Sequence, residues 1–346
     1  MRVHYTALGL IFWVLLLLTP ASGFEAEEER LFEVDSRAAT LNIISTADLN
    51  IFAPLVEAFQ KQNPGVEVRY ITASSSELMK ALYDEDAEFD IAISSAMDLQ
   101  TKLVNDGFAR RHVSTETGTL PDWAKWRDRL FAFTQEPAVL VYSKAAFEGL
   151  PQPTNRDELI ALLRENPDRF AGRVGTYDIR ESGAGYLFAT QDSRQSESLW
   201  RMAEVMGRLD AQLYCCSSQM IRDVTNGRLA LAYNVLGSYA AAHLEGNPDL
   251  NILQFSDFTT VMLRTVLIPN TARDPDLAGQ FVDFLVSAEN RALIEDLTGL
   301  PSIDPGVLQK EAAFRPIRLG PGLLVYLDQL KRRTFIRAWL NAMVQP

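Results

Sequence analysis

The stretch Leu41-Asn42-Ile43-Ile44-Ser45-Thr46-Ala47-Asp48 reads as a buried strand that breaks into a short polar turn and then opens a helix. Leu41, Ile43 and Ile44 form an apolar run, Ser45 and Thr46 bring hydroxyls, and Asp48 is placed to cap the amphipathic segment Leu49 to Gln62. Where a parallel strand ends and a helix begins, free backbone N–H groups and the positive end of the helix dipole converge. Hydroxyls at such a point either cap the helix or complete a shell around an oxygen-rich or anionic guest.

The pattern repeats downstream. Val66 to Ile71 alternates as a strand and Ser74-Ser75-Ser76 stands ahead of a helix from Glu77 to Tyr83. Glu88 to Ile93 is extended and ends in Ser94-Ser95-Ala96, before a helix from Met97 to Asn105. Strand, polar turn and helix in succession imply a parallel α/β sheet. Residues 25–40, acidic and without apolar periodicity, read as a loose lead-in. Phe131 to Thr134 and Ala138 to Tyr142 read as extended runs on either side of Glu136-Pro137, where the chain can pass to a second lobe. That lobe has its own repeats: a helix from Arg156 to Glu165, a strand from Val174 to Tyr177, Ser182-Gly183-Ala184-Gly185 opening a helix, a helix from Glu197 to Arg208, a strand Gln212 to Tyr214, Ser217-Ser218 starting another helix, and a strand Leu229 to Asn234. Val261 to Ile268 returns to the first lobe, where Asp276 to Ser287 and Leu323 to Met343 pack as helices. The expected division is residues 41–135 plus 261–346 for the first lobe and 136–260 for the second, with a cleft at the hinge.

Length and composition bound the function. Arg2, an apolar run from Ala7 to Leu18, Pro20 and the small residues Ala21, Ser22 and Gly23 fit an export signal cleaved after Gly23. Of 346 residues, 323 then remain, more than one core usually serves. The net charge of −12 argues against nucleic acid and anionic membrane surfaces. The two cysteines, Cys215 and Cys216, are neighbours, which disfavours a relaxed disulfide, so they read as thiols or small core residues. No metal-ligand spacing, nucleophile elbow or phosphate-binding glycine motif occurs, so neither a metal, a cofactor nor catalysis is expected.

A strand ending in small hydroxyls, then "FQKQNPGVEV", "FDIAIS", "LVNDGFAR" and "EPAVLVYSK", resembles the bacterial extracellular solute-binding proteins of ABC transporters, the two-lobed type II fold with an iron- and anion-binding branch. "PTNRDELIALL", "RFAGRVGTYDIRESGAGYLF" and "VTNGRLALAYNV" are similar to that family's second lobe, and the likeness runs over about residues 41–300. It implies a periplasmic monomer that serves an ABC permease or a membrane sensor. It also implies that the polar turns line the interlobe cleft. Ser45, Thr46, Ser94, Ser95, Arg180, Ser182, Gly183, Ser217, Ser218 and Asn234 are therefore the candidate ligand contacts. Arg180 is the residue of choice for a carboxylate or phosphate, which favours an organic acid or a phosphorylated compound. Cationic ligands remain open through Asp48, Glu136 and Asp178. So does ferric iron, although the adjacent tyrosine pair of iron-binding members is here split into Tyr233 and Tyr239. A secreted hydrolase using Ser182 or Ser217 is the rival from another class.

Overall fold

The computed structural model describes residues 23–244 and 246–345, so the expected export signal, apart from Gly23, lies outside the described residues. The chain begins with β1 (Glu28–Phe32), β2 (Ala39–Ser45), α1 (Leu49–Gln62), β3 (Val66–Thr72), α2 (Ser75–Tyr83), β4 (Ile91–Ser94) and α3 (Met97–Asn105). β2 lies between β3 and β4 and is parallel to both, which is the unit read from Leu41 to Asp48. Leu41, Ile43 and Ile44 are fully buried because helices cover both faces of the strand. On one face Phe59 of α1 packs edge-on against Phe281, with ring centroids 4.9 Å apart.

The lead-in is not loose. Residues 28–32 pair antiparallel with β3, from Glu28 opposite Thr72 to Phe32 opposite Val68. An open sheet edge offers unpaired backbone groups, and this strand satisfies them without an apolar repeat; Arg69 holds Glu29 at 2.6 Å and Phe32 is buried.

After α4 (Thr115–Thr119) and β5 (Lys125–Trp126) comes β6 (Leu130–Ser143), a single strand where two runs were expected. Then follow α5 (Arg156–Glu165), α6 (Pro167–Phe170), β7 (Val174–Tyr177), α7 (Gly183–Gln195), α8 (Ser198–Arg208), β8 (Gln212–Tyr214), α9 (Ser217–Thr225), β9 (Leu231–Leu236), α10 (Gly237–Leu244) and β10 (Leu250–Leu253). The chain closes with β11 (Thr259–Leu267), α11 (Pro275–Val286), α12 (Arg291–Thr298), α13 (Pro305–Lys310), β12 (Phe314–Pro316) and α14 (Gln329–Met343). Up to Pro137, β6 pairs with β11, which in turn pairs with β4. From Ala138 onward β6 pairs with β9 and β10, and β7 joins β9 to β8. Pro137 has no N–H to donate, so the strand changes partners where its ladder is already interrupted.

Beside that switch, Glu136 and Arg264 form a fully buried bidentate ion pair at 2.9 and 3.1 Å. Thr134 Oγ1 donates to Glu136 at 2.9 Å and Ser238 Oγ donates to its other oxygen, so the carboxylate has a partner on every side.

The C-terminal helix does not pack on the first lobe. Phe335, Trp339 and Met343 of α14 share one apolar cluster with Leu199, Met202 and Met206 of α8. α14 thus covers part of the apolar face of α8. A 3-10 turn over Pro321–Leu327 carries the chain across to reach it.

Candidate functional site

A cavity of about 80 Å³ lies where the two halves of the sheet face each other. Its wall is made of helix beginnings. α1 contributes Thr46 and Asp48, α2 Ser74 and Ser75, and α3 Ser95. From the other half, α7 contributes Ser182 and Ala184, α9 Ser217 and Ser218, and α10 Tyr239. Each strand ends at the cleft and each following helix therefore starts there, which aims first-turn N–H groups and dipole ends into one space.

Of the expected contacts, Thr46, Ser95, Ser182, Ser217 and Ser218 line this cavity. Thr46 Oγ1 accepts the Ser95 N–H at 3.2 Å, which ties the ends of β2 and β4 together. Tyr177 OH and Ser217 Oγ are 2.5 Å apart, and Ser217 Oγ also accepts the Leu236 N–H at 3.3 Å. Ser182 caps α7 by accepting the Gly185 N–H at 3.1 Å.

The other expected contacts are placed elsewhere. Ser45 and Ser94 are buried, and each closes its own turn, on Ala47 N at 3.0 Å and Ala96 N at 3.1 Å. Asn234 adopts a left-handed backbone (φ 60°) beneath the site and donates to Asp192 at 2.8 Å. Arg180 does not line this cavity. Its Nε sits 2.8 and 3.1 Å from the two Asp178 oxygens and its Nη2 also contacts the carboxylate, so the guanidinium is neutralised two residues away. Asp178 is held below its ordinary value despite its burial because of this arginine. Arg180 and Gly183 border a separate, smaller cavity with Asp98 and Arg332.

Sequence reasoning missed Glu27, Glu181 and the cysteines. Glu27 reaches the cavity because β1 docks its N-terminal end beside Asp48; burial, then the Asp48 charge, raises its carboxyl above the usual range. The pair Leu31-Phe32 after an acidic run was the only hint of that strand. Asp48 occupies the cap position of α1 but makes no side-chain cap bond, which leaves its carboxylate to the cavity. Cys215 and Cys216 are joined in a disulfide with Cα atoms 3.8 Å apart, against the reading of free thiols. Both cysteines lie in the cavity wall, immediately before the first turn of α9. Tyr239, also in that wall, is pushed up to about 12 by burial.

The halves touch across the cleft. Gly183 N donates to Ser75 Oγ at 3.0 Å, Ser76 Oγ donates to Glu181 O at 3.3 Å, and Asp48 N donates to Tyr239 OH at 3.2 Å. A Cβ at Gly183 would press on Ser75, meeting its Cβ at 2.9 Å.

Two α/β lobes with a polar cavity at the convergence of their helix N-termini have the architecture of a binding protein for a small solute. The sequence profile of the bacterial extracellular solute-binding proteins matches residues 44–292, and the chain belongs to that family. It is 35% identical to the substrate-binding protein of an ABC transporter from Agrobacterium tumefaciens, over 93% of this chain and 100% of that one, with a TM-score of 0.87. The fold is shared with iron-bound HitA from Pseudomonas aeruginosa (17% identity, 88% and 99% covered, TM-score 0.68). It is also shared with AfuA from Actinobacillus pleuropneumoniae bound to fructose 6-phosphate (16%, 89% and 100%, TM-score 0.71). No curated protein sequence matches the chain.

Among the described residues no histidine is bonded to the Ser182 or Ser217 hydroxyl. The Ser182 and Ser217 hydroxyls are committed to the bonds above, while His112 pairs with Asp283 at 2.8 Å and His243 bonds Tyr239 O. Among the described residues no group of three or more His, Cys, Asp or Glu is placed to hold a metal ion. Tyr233 is turned away from the cavity, its OH accepting from Arg156 Nε at 2.8 Å.

Proposed function

We propose that this chain is a periplasmic receptor, not an enzyme, that captures a small solute bearing an oxyanion and hands it to an ABC permease. The observation that carries this reading is the convergence of the N-termini of α1, α2, α3, α7, α9 and α10, with the hydroxyls of Thr46, Ser75, Ser95 and Ser218, on one cavity. A negative group at a helix N-terminus gains 0.3–1 kcal/mol, and up to about 2 kcal/mol where partly buried. The volume, about 80 Å³, holds roughly five to eight water-sized bodies, which suits an organic acid or a small phosphorylated compound. AfuA, bound to fructose 6-phosphate, supports a phosphorylated guest in this fold. In this revised site the backbone and hydroxyls hold the anion, and Arg180 does not.

A second reading rests on charge. Glu27, Asp48 and Glu181 face the cavity, and no Lys, Arg or His is among the described residues that line it. That rim favours a solute with an ammonium group, such as a polyamine. A thermal-shift series with inorganic phosphate, glycerol 3-phosphate, malate and putrescine separates the two, because a ligand at 100 times its Kd stabilises by about 2.7 kcal/mol. The anion reading expects shifts from the first three and a larger shift for them in Asp48→Asn. Shifts from putrescine alone, lost in Asp48→Asn, would replace it with the cation reading. Solute-dependent stimulation of the permease ATPase in proteoliposomes tests delivery against presentation to a sensor.

A further inference from the structure

The Cys215–Cys216 disulfide lies in the cavity wall, at the junction of β8 and α9. Its position is fixed by its neighbour Ser217, whose hydroxyl is tied to Tyr177 on β7 and to the Leu236 N–H on β9. The opposite lobe faces it with Thr46, Ser75 and Ser95. Hydroxyls thus line the cavity from both lobes, and the disulfide is a sulphur patch among them that itself offers neither N–H nor O–H.

We propose that this disulfide is a ligand-contacting element and that its oxidised form is the one that captures solute; the inference rests on the solute-capture reading above. Bonded sulphurs sit about 2 Å apart. Once unbonded, they need roughly 3.5–4 Å. That room has to come from a cavity of about 80 Å³, or from a shift of the first turn of α9, which itself forms part of the wall. A thiol at a helix N-terminus is also more acidic than a free one, so reduction adds negative charge to a cavity that Asp48 and Glu181 already border. Cleavage takes two electrons and two protons. A dithiol reductant supplies both by thiol–disulfide exchange and becomes a cyclic disulfide.

The test is equilibrium dialysis of the full-length mature protein against a deproteinised bacterial metabolite extract, with retained compounds identified by mass spectrometry. The oxidised protein, the same protein reduced with dithiothreitol and verified to hold two thiols, and the reoxidised sample are compared. We expect a compound that the oxidised form retains to be held at least tenfold less after reduction and to return on reoxidation. Cys215→Ala/Cys216→Ala should show no response to dithiothreitol. Equal retention by oxidised and reduced protein, or a dithiothreitol effect that persists in the double alanine variant, overturns the proposal and leaves solute capture standing. No retained compound on the oxidised form overturns solute capture, and this inference with it.

Discussion

Glu136→Ala should be among the most destabilising single substitutions in this chain. The Glu136 and Arg264 side chains are 0% and 1% exposed, and the guanidinium is bound by both carboxylate oxygens. Arg264 Nη1 already has no hydrogen-bond partner among the described residues, so removing the carboxylate leaves a buried cation with almost nothing opposite it. It also strands the hydroxyls of Thr134 and Ser238. Breaking a buried pair from one side costs about 3–5 kcal/mol. At roughly 2–4 °C per kcal/mol for a large domain, the melting temperature should fall by roughly 6–20 °C. Replacing both partners with apolar groups is often neutral, so Glu136→Ala/Arg264→Met should recover most of the loss. Urea unfolding of the wild type, the single and the double variant measures both steps. A single variant that loses less than about 1 kcal/mol, or a double variant no more stable than the single, would refute the argument that an uncompensated charge is the cause.

Other outcomes follow from the interlobe contacts. Gly183→Ala places a methyl group against Ser75, so ligand affinity should fall at least tenfold while urea stability changes by no more than about 1 kcal/mol; calorimetric titration with whichever solute shifts the melting curve reads this. Asp98 is 3% exposed and burial raises its carboxyl to about 7, against which the Leu99 N–H and Arg332 act only partly. The folded chain therefore holds a proton that the unfolded chain has released, and stability should decline as pH rises from about 4 to 7, by at most on the order of 4 kcal/mol. Asp98→Asn should flatten that decline, and an unchanged pH profile of urea stability would rule the assignment out. Arg180→Ala should leave solute affinity unchanged, because the half-exposed guanidinium pairs with the buried Asp178 and does not line the main cavity; calorimetric titration reads this, and a tenfold affinity loss would return it to the site.

The sheet was legible because its central strands are buried on both faces. Leu41 to Ile44 and Phe89 to Ile93 read as short apolar runs bounded by polar turns, the pattern of strands covered on both faces. β1 was not legible, since an edge strand draws its stability from backbone pairing and needs no apolar repeat. The docking of α14 on α8 was hidden for another reason: periodicity shows that a helix has an apolar face but not which partner will cover it. An arginine beside glycines reads as poised for an anion, whereas the structure pairs Arg180 with Asp178 two residues earlier through local geometry that spacing alone does not reveal. The cysteines were misjudged from statistics on relaxed disulfides. The pairing of two adjacent cysteines has no signature in composition or spacing.

A strand that belongs to two sheets has a consequence for how the molecule comes apart. β6 runs 14 residues, roughly 46 Å, and its first half completes one lobe's ladder while its second half completes the other's. Neither lobe can melt without releasing a strand that the other needs, and the buried Glu136 sits at the point they share. Although the cleft divides the protein for binding, the lobes should unfold as one cooperative unit, with a single calorimetric transition whose van't Hoff and calorimetric enthalpies agree. The strand that joins the lobes across the cleft thus makes them indivisible in unfolding.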